Sequence, residues 1–329
     1  MNVDAVNSGA PGGFGPAGSL LATGHWPENS RPMSLGLMVP IGEGSAFGGT
    51  PRFRDIVEIG QTARAVGFDA LWFADHFEMG HGTDEDPFRG VWECWTLMAA
   101  VAAAVPDVQI GALVACTGYR NPGVIAKMSE TIDEVSDGRF ILGLGAGWHK
   151  PEYDHFGFPF DHRVSRFEDA IKIIHPLLRQ GTANYQGEFF QANDAINIPR
   201  GPRASGPPIL VGSTGPRMLG LIAEYADAWN TVWHSDTVKV KELLQVVDAA
   251  CEAIGRDPKT LVRTAGGNMA LDGYLGSRPG AFAGDADAKA ALLHEFRQLG
   301  FRHFVCGLDP CTPASLESFG DVIQRFDKG

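Results

Sequence analysis

From Ser34 onward, short apolar runs alternate with longer segments whose apolar residues recur at helical spacing. Leu35–Val39 precedes a helical pattern over Arg52–Val66 that closes on Gly67, and Ala70–Ala74 precedes another over Glu93–Val105. Val108–Cys116 is followed by Pro122–Val135, where Ile125, Met128, Ile132 and Val135 share one face. Phe140–Gly147 leads through a polar loop to Val164–Arg179, whose apolar stripe is Phe167, Ile171, Ile174 and Leu178. Residues 181–206 break the rhythm with a hairpin pattern, Tyr185–Gln191 and Ala195–Ile198, and a tail rich in Pro, Gly and Arg. The alternation then resumes as Ile209–Gly212 with Gly215–Tyr225, Ala228–Val232 with Val238–Ile254, Leu261–Leu271 with Ala286–Leu299, and Phe301–Gly307 with Pro313–Phe326. Strands alternating with helices predict a parallel sheet. Eight such pairs predict an α/β protein whose residues 33–329 form one closed (β/α)8 TIM barrel, with insertions at the carboxyl-terminal face.

In such folds the chemistry sits at the carboxyl ends of the strands. The fourth strand ends in Gly143, Gly145 and Gly147, which alternate with Leu144 and Ala146. Glycine at every second position strips one strand face, which suits a flat ligand, another backbone, or tight helix-on-strand packing. The run that follows, Trp148, His149, Glu152, Tyr153, Asp154 and His155, is dense in polar and aromatic groups. The second strand ends in Asp75-His76, and a histidine held by carboxylates there is a natural general acid or base, with a solvated loop residue as the alternative. Residues 78–90 read as a mobile lid segment. The third strand ends in ALVACTGYR, Ala112–Arg120, whose small side chains suit either a planar ring behind them or plain core packing. The fifth ends in Gly212-Ser213-Thr214-Gly215-Pro216-Arg217, where exposed amides and two hydroxyls at a helix start offer donors to a phosphate. His149, Asp154 and His155 do not have the spacing of a helical metal motif, and no metal is expected.

A net charge of −12 argues against nucleic-acid or anionic-membrane partners. The five cysteines are odd in number and form no CxxC, so a reducing cytoplasm is the expected location. No apolar run approaches the roughly 20 residues of a membrane helix. Residues 1–32 are rich in Gly, Ala, Pro, Ser and Asn and read as a disordered leader, with Met33 an alternative start.

Taken together, ALVACTGYRNPGVIAK, SDGRFILGLGAGWHKPEYDHFGFPF, RVSRFEDAIKII and PPILVGSTGPRMLGLIAEYADAWN resemble the luciferase-like superfamily of barrel oxidoreductases, over roughly Ser34 to Phe326. That family includes monooxygenases using reduced FMN and hydride-transferring enzymes using the deazaflavin coenzyme F-420. The resemblance implies catalytic roles for Asp75 and His76, with the histidine as acid or base facing the ring. It implies a non-proline cis peptide at Leu113-Val114 behind the ring, and a phosphate held by Gly212, Ser213, Thr214 and Gly215. Gly145, Gly147 and Trp148 are then cofactor neighbours, and His149, Tyr153 and His155 line the substrate pocket. Trp148 stands where sugar-phosphate dehydrogenases of the F-420 branch have a catalytic glutamate, which argues against that substrate. ECWT (Glu93–Thr96), the Asp-His pair and the GAGW turn place the chain nearer the F-420 side. The expected function is hydride transfer between F-420 and a small organic substrate, in a homodimer. The alternative is an FMN-dependent monooxygenase supplied by a separate reductase; a non-catalytic flavin-binding protein and a metal-dependent barrel enzyme are the minor ones. Arg120, Lys150, Arg200, Arg203 and Arg217 are the cations available for the anionic tail of F-420.

Overall fold

The computed structural model describes residues 26–27, 31–44, 49–274, 278 and 280–329. Eight strands form the barrel: β1 (Ser34–Met38), β2 (Ala70–Phe73), β3 (Gln109–Ala112), β4 (Phe140–Gly145), β5 (Ile209–Gly212), β6 (Ala228–Thr231), β7 (Val262–Ala270) and β8 (His303–Asp309). Each runs parallel to the next, and β8 pairs with β1, so no edge is left open. Alternate strand residues divide between two apolar clusters. Leu71 and Phe73 of β2 join the large cluster between strands and helices, whereas Ala70 and Trp72 join a smaller one with Ile141, Leu210 and Val305 inside the barrel.

The helices are α1 (Phe53–Val66), α2 (Cys94–Ala104), α3 (Pro122–Val135), α4 (Lys150–Phe156), α5 (Arg163–Gln180), α6 (Pro216–Tyr225), α7 (Val238–Glu252), α8 (Ala286–Gln298) and α9 (Pro313–Lys328). Local chemistry sets their ends. Asn121 caps α3 by accepting from the Gly123 amide at 2.8 Å, and α1 stops at Gly67 with φ at 106°.

The cis peptide that the resemblance implied lies between Leu113 and Val114; it interrupts the third strand, read as one run over Val108–Cys116, into Gln109–Ala112 and Ala115–Cys116, and the second piece pairs with Leu144 and Gly145. Three other features differ from the sequence reading. The inserted hairpin pairs Thr182–Gln186 with Gln191–Ile196, because its turn is held by the Asp169 carboxylate, which accepts from the Phe189 amide at 2.7 Å. Residues 150–156, read as loop, form α4, bracketed by Pro151 at its start and Gly157 at its end with φ at 75°. Lastly, most of the expected leader lies outside the described residues, but Trp26 and Arg31 are packed into the fold. Trp26 is buried edge-on against His303, with ring centroids 6.1 Å apart, and Arg31 bonds Asp69 at 2.8 Å and Asp327 at 2.6 Å. No described helix is long and apolar enough to cross a membrane.

Candidate functional site

A cavity of about 870 Å³ opens at the carboxyl ends of the strands. Asp75, His76, Leu113, Val114, Gly145, Gly147, Trp148, Gly212, Ser213 and Thr214 all line it, so the strand ends singled out by sequence do converge.

His76 follows β2. Its Nδ1 lies 2.8 Å from Oε2 of Glu152, a fully buried carboxylate on α4. Glu152 also accepts from the Phe77 amide at 2.5 Å, the Glu78 amide at 3.2 Å and the Tyr119 hydroxyl at 2.8 Å. Burial opposes its charge, but the hydrogen bonds from His76, Phe77 and Tyr119 outweigh it and hold the carboxyl below its ordinary value. An ionised acceptor on Nδ1 fixes the neutral imidazole as the Nδ1–H tautomer. Nε2, which has no hydrogen-bond partner among the described residues, is then left to exchange a proton. Sequence reasoning placed Glu152 in the polar run but gave it no role. Its signal was its position on the inward face of α4, visible only once α4 is recognised as helix.

Asp75 does not share this part. Arg120 grips both its oxygens, at 2.7 and 3.0 Å, and the Cys116 amide bonds Oδ2 at 2.9 Å. Burial pushes the carboxyl's pKa up, and Arg120 counteracts it. Arg120 also bonds Glu93 at 2.6 Å, the residue that caps α2. Asp75 thus ties β2, the segment after β3 and α2 together beneath His76.

The glycines at the end of β4 make room for backbone and side chains, and Gly145 and Gly147 also line the cavity. A Cβ on Gly143 would sit 1.9 Å from the Ala112 carbonyl oxygen, and one on Gly145 would meet Val114 at 2.6 Å. Gly147 has φ at +78°, and a Cβ there would stand 2.0 Å from the Tyr153 hydroxyl. The bare face admits the bent Leu113-Val114 segment, which supplies the cavity wall itself.

At the end of β5, Ser213 and Thr214 lead into α6, whose N-cap, Gly215, offers no side chain to the first amides. Those amides stand at an exposed edge of the cavity, a geometry suited to a phosphate. Gly215 itself does not line the cavity. Arg217 turns away to Glu168, at 2.5 Å, and Ser165.

The expected pocket residues fare differently. Tyr153 is buried, donates to the Ala146 carbonyl at 3.0 Å and meets Cys116 Sγ at 2.9 Å, so it pins α4 to the end of β4 and does not line this cavity. His155 is bound to Glu78 at 2.5 Å on the outer side. His149 is buried between the rings of His76 and His81; burial lowers its pKa, and its Nε2 has no hydrogen-bond partner among the described residues. Asp154 pairs with Lys150 at 2.6 Å, so it does not converge with the two histidines. Of the loops expected to wall the pocket, residues 78–90 contribute Met79 and Arg89 and the loop after β7 contributes Tyr274 and Arg278; residues 153–163 contribute none. The lid segment is itself ordered as a short hairpin, Glu78–Met79 against Arg89–Gly90.

A closed parallel barrel with a carboxylate-backed histidine in a cavity at its carboxyl-terminal face defines the class of protein. A family model described as luciferase-like monooxygenase matches residues 33–303, and the chain belongs to that family. It is 33% identical over 205 residues to pyrimidine monooxygenase RutA of Methylobacterium radiotolerans, a match covering 59% of this chain and 53% of that protein. It is 27% identical over 219 residues to a phthiodiolone/phenolphthiodiolone dimycocerosates ketoreductase of Mycobacterium tuberculosis, covering 62% and 57%. The chain thus spans about half the length of these relatives. Among solved structures, an F420-dependent secondary alcohol dehydrogenase bound to an F420–acetone adduct superposes with a TM-score of 0.74 at 19% identity, over 89% of this chain and 99% of that one. EDTA monooxygenase from Chelativorans sp. BNC1 superposes with a TM-score of 0.72 at 14% identity, over 89% and 94%. These likenesses establish the shared barrel.

Proposed function

We propose that the protein transfers hydride between coenzyme F-420 and a small organic carbonyl or alcohol, with His76 moving the proton. The observation that carries this reading is the buried, ionised Glu152 on Nδ1 of His76, which leaves Nε2 free to give a proton to a substrate oxygen or take one from it. A flat ring system fits the site: Leu113 and Val114 wall the cavity, and the uncapped start of α6 beyond Ser213, Thr214 and Gly215 suits a phosphate. The deazaflavin, when bound, supplies or accepts the hydride; the chain holds the ring, orients the substrate and handles the proton. Gly145 and Gly147 serve by admitting Val114 and Tyr153.

A second reading, an FMN-dependent monooxygenase fed by a separate reductase, is favoured by one observation. Each cation expected to meet the anionic tail of F-420 is already paired: Arg120 with Asp75, Lys150 with Asp154, Arg200 with Glu130, Arg203 with Asp133, and Arg217 with Glu168. The similarity to a pyrimidine monooxygenase points the same way. Fluorescence titration of the purified protein with F-420 and with FMN decides between them. Saturable F-420 binding with weak or absent FMN binding is expected, and the reverse order overturns the lead. A homodimer is the expected assembly.

A further inference from the structure

Resting on that reading of the site, we propose that its substrate is an uncharged molecule with an apolar aromatic or alicyclic body and a single carbonyl or hydroxyl oxygen, its body seated against Trp148 and Trp233. Four large apolar side chains lining the cavity are exposed: Trp148 at 62%, Trp233 at 42%, Val232 at 39% and Met79 at 37%. Apolar residues scattered singly on a surface carry no message, but four converging on one concavity present water with a contiguous apolar surface that a ligand can cover. They come from separate elements. Met79 lies on the hairpin after β2 and Trp148 follows β4; Val232 and Trp233 follow β6, packed over Gly266 of β7 and near Gly307 of β8.

Trp148 stands edge-on to the His76 ring with centroids 5.8 Å apart, so a body resting on the indole brings its oxygen toward the imidazole. Charge disfavours the alternative of a phosphorylated or carboxylated substrate. Among the described residues Glu43 and Asp309 line the cavity with two arginines, both engaged, Arg89 with Asp86 at 3.1 Å and Arg278 with Asp309 at 3.9 Å, while the Asp75 carboxylate is held by Arg120. An anion would have to share one of these paired cations. Trp148 thereby passes from the cofactor neighbours expected from sequence to the substrate wall.

The test titrates the full chain with 2-acetylnaphthalene and with glucose 6-phosphate, each with and without the flavin that binds. The aryl ketone is expected to bind at least tenfold more tightly than the sugar phosphate. Trp148→Ala should weaken the ketone about tenfold or more, and Trp148→Phe should restore most of the loss. Equal or tighter binding of glucose 6-phosphate overturns the proposal, as does ketone binding indifferent to Trp148→Ala. A parallel loss of flavin affinity in Trp148→Ala also overturns it, because the indole then serves the cofactor. Should neither flavin bind, the hydride-transfer reading falls, while the flavin-free ketone titrations on the same variants still decide the substrate proposal.

Discussion

At the scale of single residues, the carboxylate that the sequence sets beside His76 is not the one that holds its ring. Asp75 is adjacent to His76 in the chain but is consumed by Arg120, whereas Glu152, 76 positions away, holds the imidazole. His76→Ala should therefore reduce turnover by roughly 10²–10⁴-fold while leaving flavin affinity nearly intact, as measured by steady-state kinetics and flavin titration. Glu152→Gln keeps the shape and removes the charge that fixes the tautomer; a loss of turnover of at least about tenfold is expected, and unchanged turnover would make Glu152 a packing residue. The same variant has a signature in acid. The carboxyl of Glu152 sits below its ordinary 4.5 in the fold, so the unfolded chain binds its proton more readily. Its stabilisation is complete above that ordinary value and is lost as pH falls through the depressed one. Glu152→Gln should flatten that part of the acid unfolding curve.

At the scale of elements, the barrel was legible because its signals are local. Period and punctuation gave all eight strands and their following helices, with Pro122–Val135 and Ile209–Gly212 found at their observed limits. The elements that were misread are set by distant partners. The turn of the inserted hairpin is fixed by Asp169 of α5, and α4 is too short for helical periodicity to show, though Pro151 and Gly157 mark its ends. The Asp-His pair and the phosphate-type turn were visible as strand-end motifs. Glu152 was not, because its role depends on α4 folding back over β2. The β4 glycines were read as close approach without revealing to what, and the answer is the carbonyl of Ala112 and the side chain of Val114. Gly143→Ala is accordingly expected to destabilise the fold by about 1–3 kcal/mol, since its Cβ meets backbone that has no open space to move into. Gly215→Ala, with open space around the site and an ordinary φ of −71°, should cost less, about 0.5–1 kcal/mol, from the N-cap preference for glycine over alanine alone. Chemical denaturation of the two variants side by side measures the contrast.

At the scale of the whole molecule, one apolar cluster joins the cavity at one end of the barrel to the closure at the other. The interior cluster that contains Leu113, with Val114 packed on it, extends through Trp72, Leu210 and Val305 to Trp26, a residue contributed from before the first strand. Trp26 packs edge-on against His303, the first residue of β8. His303 in turn accepts from the Trp72 indole at 2.8 Å and donates to Ser34 at 2.6 Å, kept neutral by burial that lowers its pKa to about 3. Arg31 clamps the same segment to the start of β2 and to α9. Trp26, within the stretch whose composition reads as a leader, thus plugs the amino-terminal mouth of the barrel. Trp26→Ala opens a large void against Trp72 and His303 and should cost about 3–5 kcal/mol of stability, measured as a fall in the denaturation midpoint with an unchanged slope. Trp26 and Leu113 belong to the same interior cluster, so repacking around the void should also weaken binding of whichever flavin-type cofactor the titration identifies. Removal of residues 1–32 should reproduce both effects, and a truncated protein as stable as the full chain would show that the plug is dispensable.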